Sequence, residues 1–270
     1  MPFIDDPLNL RGKVAVITGG GTGIGAETAR VFARHGAEGV VLAARTESDL
    51  ETVAAQLAVI GKEAGNPALR VLPVRTNVKE EASVVAMVER AVAEFGRIDV
   101  LVNNAGGTRM GPLESLPTKG WEATVGLNMT GPFFCTREAG KHMIEARSGV
   151  IVNVSSGAGV NGVRNGAPYS AAKAGLQMFT KVTAAEWGRY GIRANCVAVG
   201  AVASERSVAA WEAANLDRSA MGKGTALGRL GEPSDIAYPI LFLSTDASSF
   251  VTGQTFSADG GTLLGAPRDD

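Results

Sequence analysis

Apolar residues follow two rhythms along this chain. Short β-branched runs, continuous in Val-Ala-Val-Ile at 14–17 and Val-Ile-Val-Asn-Val at 150–154, alternate with longer amphipathic stretches almost to the C-terminus. That alternation marks parallel strands joined by helical crossovers, and a run that is apolar throughout fits a strand covered on both faces. Strands are predicted at Val14–Thr18, Val40–Ala43, Arg70–Val74, Val100–Asn103, Val150–Val154, Arg193–Val199 and Thr255–Ala258. Helices are predicted at Ile24–His35, Glu47–Ile60, Glu80–Phe95, Thr118–Ala146, Tyr169–Tyr190 and Pro233–Ser244. Gly36, Gly61, Gly96 and Gly191 each fall just past a helical pattern, where a left-handed cap favours glycine.

The expected architecture is a single α/β domain over residues 1–270: a doubly wound sheet of seven mainly parallel strands with helices on both faces. No repeat, low-complexity tract or linker interrupts it. The least regular stretch, about 200–230, is too long for a tight connection and is a natural place for a substrate lid.

Composition narrows the function. A chain with 45% hydrophobic and 20% charged residues and a net charge of -1 has no basic stripe for nucleic acid. Its apolar runs fall short of the roughly 18 residues that a membrane span needs. Met1–Asn9 carries Asp5 and Asp6 instead of a basic head and an apolar run, so it does not read as a secretory signal, and a cytoplasmic protein is expected. Cys135 and Cys196 sit in apolar surroundings that suit buried free thiols. With His35 and His142 as the only histidines, both near predicted helix ends, no metal site is expected.

The first strand runs into Thr18-Gly19-Gly20-Gly21-Thr22-Gly23-Ile24-Gly25 and then into a helix. Glycines there let the backbone approach a pyrophosphate, and the exposed N–H groups and positive helix end attract it; the other reading is a tight turn. The second strand ends in Ala43-Ala44-Arg45-Thr46 and offers no carboxylate at its exit. An acid would accept from a free ribose 2′-hydroxyl, whereas an arginine pairs with a 2′-phosphate, so Arg45 favours NADP(H) over NAD(H) unless it merely solvates the sheet edge.

Tyr169 and Lys173 stand four apart at a helix start, so phenol and ammonium share one face. A nearby positive charge favours phenolate and lowers the tyrosine pKa, although such a pair also occurs for structural reasons. Ser156, at the mouth of the fifth strand, can hydrogen-bond a substrate oxygen. Asn128 is a further polar candidate, or a mid-helix asparagine bonded to backbone.

These residues resemble the short-chain dehydrogenase/reductase family over nearly the whole chain. The resemblance rests on Thr18–Gly25, Asn103-Asn104-Ala105-Gly106, Asn128, Ser156, Tyr169-x-x-x-Lys173 and Ala258-Asp259-Gly260-Gly261, all in family order. It implies a Rossmann-type fold in which Tyr169 exchanges the substrate proton and Ser156 positions the carbonyl oxygen. Lys173 would bind the nicotinamide ribose and depress the tyrosine pKa, and Asn128 would hold a water linked to the lysine. It also implies that Gly19, Gly21, Thr22, Gly23, Ile24 and Gly25 hold the phosphates, that Arg45 and Thr46 lie at the adenosine ribose, and that Asn77 and Val78 hold adenine. Asn104, Ala105 and Gly106 would line the ribose side, and Val202 and Ser204 the nicotinamide side.

Three departures stand out: Val199-Gly200 where the family commonly has Pro-Gly, Ser204 where threonine is frequent, and Thr22 where NADP users often carry a basic residue. The last leaves Arg45 as the main argument for NADP.

The expectation is a ketone–alcohol oxidoreductase similar to 3-oxoacyl-(acyl-carrier-protein) and enoyl-thioester reductases of the family, acting on a 3-oxoacyl thioester or similar hydrophobic carbonyl. A sugar or polyol dehydrogenase and a catalytically inactive NADP-binding protein are the alternatives. Gly107–Leu116 and Val202–Leu227 are expected to wall the pocket, with Met110, Trp211 and Met221 as apolar candidates. The resemblance further implies a homotetramer joined through the helices at 118–146 and 169–190.

Overall fold

The computed structural model describes residues 6–107 and 110–262. Part of the N-terminal stretch and two residues of the expected pocket wall, 108 and 109, lie outside the described residues. Seven strands form one sheet: β1 (Val14–Thr18), β2 (Gly39–Ala44), β3 (Arg70–Arg75), β4 (Val100–Asn103), β5 (Gly149–Ser156), β6 (Ile192–Val199) and β7 (Thr255–Ala258). Their order is β3-β2-β1-β4-β5-β6-β7, and every pairing is parallel. The chain therefore winds outward from β1 in one direction, returns, and winds outward in the other.

The helices are α1 (Gly23–Arg34), α2 (Glu47–Glu63), α3 (Glu81–Phe95), α4 (Thr118–Val125), α5 (Gly131–Ala146), α6 (Ala158–Asn161), α7 (Ala167–Trp187), α8 (Glu205–Ala213), α9 (Arg218–Lys223) and α10 (Pro233–Ser244). Alternate strand residues feed two cores. Ala15 and Ile17 pack with Phe32 of α1, Leu50 and Leu57 of α2 and Ile240 of α10, while Val16 packs on the other face with Met87 of α3 and Cys135 and Met143 of α5. Each such fully buried aliphatic or aromatic side chain contributes about 1.5–3 kcal/mol.

The structure revises several boundaries. The stretch 118–146 is not one regular helix: a π-helical turn at Gly126–Thr130 separates α4 from α5. Asn128 sits in that turn, fully buried, and a widened turn of this kind re-aims a side chain. Gly36, Gly96 and Gly191 take positive φ, but Gly61 lies inside α2, and Gly65 takes the left-handed position. Close packing explains the glycine at 61, where a Cβ would stand 2.9 Å from the Asn66 carbonyl oxygen. The helix predicted at Tyr169–Tyr190 begins at Ala167, with Pro168 in its first turn, and 200–230 contains α8 and α9 where an irregular lid was expected.

A buried polar ladder ties the centre of the sheet to the helices that carry the site. Asn103 and Asn153 are register partners on β4 and β5. Asn103 Nδ2 donates to Asn153 Oδ1 at 2.8 Å and to Thr136 Oγ1 at 3.0 Å, and Asn153 Nδ2 donates to Thr180 Oγ1 on α7 at 2.8 Å. Valine at 153 keeps the volume but strands partners on both sides. Asn153→Val is expected to lower unfolding stability by about 1–3 kcal/mol in urea denaturation. A variant as stable as the parent would show that the ladder is not needed.

Candidate active site

The strand order reverses at β1, and a cleft opens at the carboxyl edge there, where parallel sheets bind ligands. Its volume is about 750 Å³, and its walls come from the loop between β1 and α1, the exits of β2 to β6, and α7 and α8.

At the β1 end, Gly19, Gly21, Thr22, Gly23 and Ile24 line the cleft. Thr22 is the N-cap of α1 in extended conformation, and its side chain does not cap the helix, so the first-turn N–H groups are free of side-chain acceptors. Gly25 is buried and does not face the cleft; a Cβ there would collide with the Gly19 carbonyl oxygen and stand 2.5 Å from Asn104 Nδ2. Its role is close packing of helix on turn. Asn104 fixes the same corner, because its Nδ2 donates to the Thr18 carbonyl at 2.9 Å while the backbone N–H groups of Asn104 and Ala105 donate to Thr18 Oγ1 at 3.0 Å. The Asn104 amide is thus committed to β1, although the residue lines the cleft beside Ala105 and Gly106.

Arg45, Thr46, Asn77 and Val78 line the far end, with Arg45 exposed at the rim. A carboxylate also reaches this end. Asp49, in the first turn of α2, lines the cleft, and its Cβ is 3.0 Å from a Cβ built on Gly21. The strand exit offers no acid, as read from the sequence, but the returning helix supplies one. Its signal is its place in the first turn after Thr46. Bare backbone at Gly19–Gly23, a helix start, and polar groups at both ends make a cradle that fits a dinucleotide.

At the other end Ser156, Tyr169 and Lys173 meet. Ser156 is the last residue of β5, and its hydroxyl accepts from the Ala158 N–H at 3.2 Å. Tyr169 and Lys173 share one face of α7, with Nζ 5.7 Å from the phenol ring centroid. Only 4% of Lys173 is exposed, and its ammonium donates to the Val154 carbonyl at 2.7 Å. Burial lowers the Lys173 pKa to about 8. The expected lowering of the tyrosine pKa by the lysine is not seen in this arrangement. Burial pushes the Tyr169 phenol above its ordinary value, and a hydrogen bond with Ser156 opposes the rise. Desolvation outweighs an ammonium whose own charge is destabilised and which is turned to a carbonyl.

Asn128 stands behind this group and does not line the cleft. Its Nδ2 donates to the Gly107 carbonyl at 2.7 Å and to the Thr124 carbonyl at 2.9 Å, and its Oδ1 accepts from the Gly107 N–H at 3.3 Å. The backbone-bonded reading of this asparagine therefore holds in part, with the bonds fixing the loop after β4. Sequence reasoning missed a second brace. Gln177 Nε2 donates to Ser155 Oγ at 3.1 Å and to the Ser156 carbonyl at 3.3 Å, and Ser155 Oγ donates to the Lys173 carbonyl at 2.9 Å. These bonds lock the serine strand to the tyrosine helix.

Val202 and Ser204 line the cleft, and Ser204 is also the N-cap of α8, accepting from the Ser207 N–H at 3.2 Å. Of the three apolar candidates, Trp211 faces the cleft. Met110 lies beside Gly166 at the loop before α7, and neither it nor Met221 lines the cleft. Burial pushes the Cys135 thiol up to about 12 and that of Cys196 to about 11, so neither is a thiolate nucleophile. His35 Nδ1 is paired with the Val31 carbonyl at 2.8 Å, and among the described residues no group of three or more His, Cys, Asp or Glu can hold a metal. No helix among them is long and apolar enough to cross a membrane.

Residues 13–215 match the sequence family described as short chain dehydrogenase. The chain is 41% identical over 250 residues to the cis-4-hydroxycyclohexanecarboxylate dehydrogenase of Sinomonas cyclohexanicum, covering 92% of this chain and 96% of that one. It is 38% identical over 256 residues to a 3-oxoacyl-(acyl-carrier-protein) reductase of Synechocystis, covering 94% and 98%. Among solved structures it resembles levodione reductase with a TM-score of 0.89 at 31% identity, covering 95% and 99%.

Proposed function

The chain belongs to the short-chain dehydrogenase/reductase family of oxidoreductases, which act on alcohol and carbonyl substrates with a nicotinamide cofactor, and on that premise we propose an NADP(H)-dependent ketone–alcohol oxidoreductase with Tyr169 as the proton-exchanging group. The observation that carries this reading is the meeting of Ser156, Tyr169 and Lys173 at one end of a cleft whose other end is a glycine-lined phosphate cradle.

Gly19, Gly21, Thr22, Gly23 and Ile24 would hold the dinucleotide's phosphates, Asn77 and Val78 the adenine, and Lys173 the nicotinamide ribose. When bound, the cofactor supplies the hydride. Ser156 orients the substrate oxygen by hydrogen bonding. Tyr169, neutral at rest, donates its proton to that oxygen as the alcohol forms, and the Lys173 charge near the ring stabilises the phenolate left behind. Lys173 keeps that charge below about pH 8 and loses it as pH rises through that value. Asn128, through its bonds to Gly107, holds the loop after β4 against the site.

The substrate reading is a hydrophobic carbonyl compound such as a 3-oxoacyl thioester. Trp211 on the cleft wall favours an apolar substrate body, and one relative acts, by its name, on a 3-oxoacyl group and another on a cyclohexane ring. Phe133, Met178 and Val182 leave apolar surface exposed on α5 and α7, the face on which further copies of the chain would pack into a tetramer.

Arg45 sets the coenzyme preference, moderated by Asp49 across the same end of the cleft. Arg45→Gln is expected to raise the KM for NADPH roughly tenfold and to leave that for NADH nearly unchanged, the loss of one charge-assisted phosphate contact. Equal effects on both coenzymes would remove Arg45 from this role. Tyr169→Phe is expected to retain NADPH binding by fluorescence titration and to lose about a hundredfold to ten-thousandfold in turnover. Turnover near that of the parent would assign the proton to another group.

A further inference from the structure

The loop that would carry the pyrophosphate contains no basic side chain from Gly19 to Gly25. Its attraction for an anion rests on backbone N–H groups and the start of α1, together worth about half a positive charge against roughly two negative ones. The remaining cations on the cleft wall are Arg45 at the β2 exit, Lys173 under Tyr169, and Arg206 on α8. Lys173 is bonded to Val154, and Arg45 stands at the opposite end from Ser156.

Arg206 is placed differently. Its helix is capped by Ser204, whose Cβ is 3.2 Å from a Cβ built on Gly23, so the start of α8 lies directly on the phosphate loop. A glycine at 23 is what admits it. Arg206, Ser207, Ala210 and Trp211, spaced as one side of a helix, line the cleft, with Arg206 and Ala210 exposed at its rim; Glu205, Ala209 and Glu212, also exposed, do not line it. No residue of α8 is buried in the core, so little but this contact holds the helix over the cleft. Among the described residues Arg206 has no ion-pair partner, in contrast to Arg218 and Arg229 further along the same lid.

We propose that Arg206 is the pyrophosphate-binding cation of this enzyme, delivered by the lid: its guanidinium closes onto the dinucleotide's phosphates opposite the start of α1 and so couples coenzyme binding to seating of α8. This rests on the dinucleotide reading of the cleft and not on the choice of NADP over NAD. Arginine suits the task because its planar fork matches two phosphate oxygens at once.

Isothermal titration of the full-length protein with ADP-ribose, NADH, NADPH and 2′-AMP separates this role from the others. Arg206→Gln is expected to weaken ADP-ribose, NADH and NADPH alike by roughly tenfold, the loss of a charge-assisted contact, and to leave 2′-AMP unchanged. Arg206→Lys should recover part of the loss, and limited trypsin digestion should show that NADH protects the lid in the parent but not in Arg206→Gln. Parent-like ADP-ribose affinity in Arg206→Gln would overturn the proposal, including the case in which only the KM for the ketone rises and the arginine reads the substrate instead. Failure of the parent to bind ADP-ribose would overturn it together with the dinucleotide reading. Arg45→Gln is the companion variant: if it fails to weaken NADPH and 2′-AMP selectively, the NADP reading falls while the Arg206 assignment stands.

Discussion

An ammonium group buried beneath a phenol constrains everything at the carboxyl edge of this sheet. Lys173 loses nearly all of its water, and the Val154 carbonyl at 2.7 Å returns only part of what is lost, so its pKa settles near 8. A residue so placed must be held accurately. Gln177 and Ser155 tie β5 to α7 around it, and the asparagine ladder below joins the same elements through Asn153 and Thr180. The polar groups buried here form connected sets, as a low-dielectric interior favours, although Asn103 Oδ1 at the top of the ladder is left without a partner.

That constraint shapes the chemistry. Burial holds the Tyr169 phenol neutral to higher pH than an exposed tyrosine, and a neutral phenol is the form that the proposed proton donation to a developing alkoxide requires. In the proposed mechanism the lysine acts on the charge that appears during the reaction more than on the resting phenol. At the opposite end of the cleft the logic is reversed: bare backbone and a helix start provide partial positive charge with no side chain in the way, while Arg45 and Asp49 set opposing charges on the cleft wall. The parallel sheet brings the two ends together, since every strand exit falls on the same edge.

Much of this was legible in the residues. All seven strands lie within a residue or two of their predicted bounds; for β1, β2, β4, β5 and β6 this is because a strand buried on both faces has few other readings, whereas β3 and β7 at the sheet edges are only partly buried. Ser156, Tyr169 and Lys173 converge as their spacing implied, the last two because four residues return a helix to the same face. What escaped was set by tertiary contact. The π turn at Gly126–Thr130 has no period of its own, Gly61 answers to the Asn66 carbonyl across a turn, and Asp49 reaches the cleft only because α2 folds back over β2. The sign of the Tyr169 shift was hidden for the same reason: spacing shows that a lysine is near, but desolvation depends on the whole fold. Short helices α8 and α9 lack the long apolar stripe that makes helices visible in sequence.

The most direct test of the buried pair is the titration of the phenol itself. The protein has three tyrosines, so ring-labelled tyrosine observed by carbon NMR gives three resonances, and the Tyr169→Phe spectrum assigns the relevant one. In the coenzyme-free protein the Tyr169 resonance is predicted to remain that of the neutral phenol beyond the ordinary tyrosine value of about 10. A phenol that ionises below that value would contradict the account, since burial would then not govern the resting phenol.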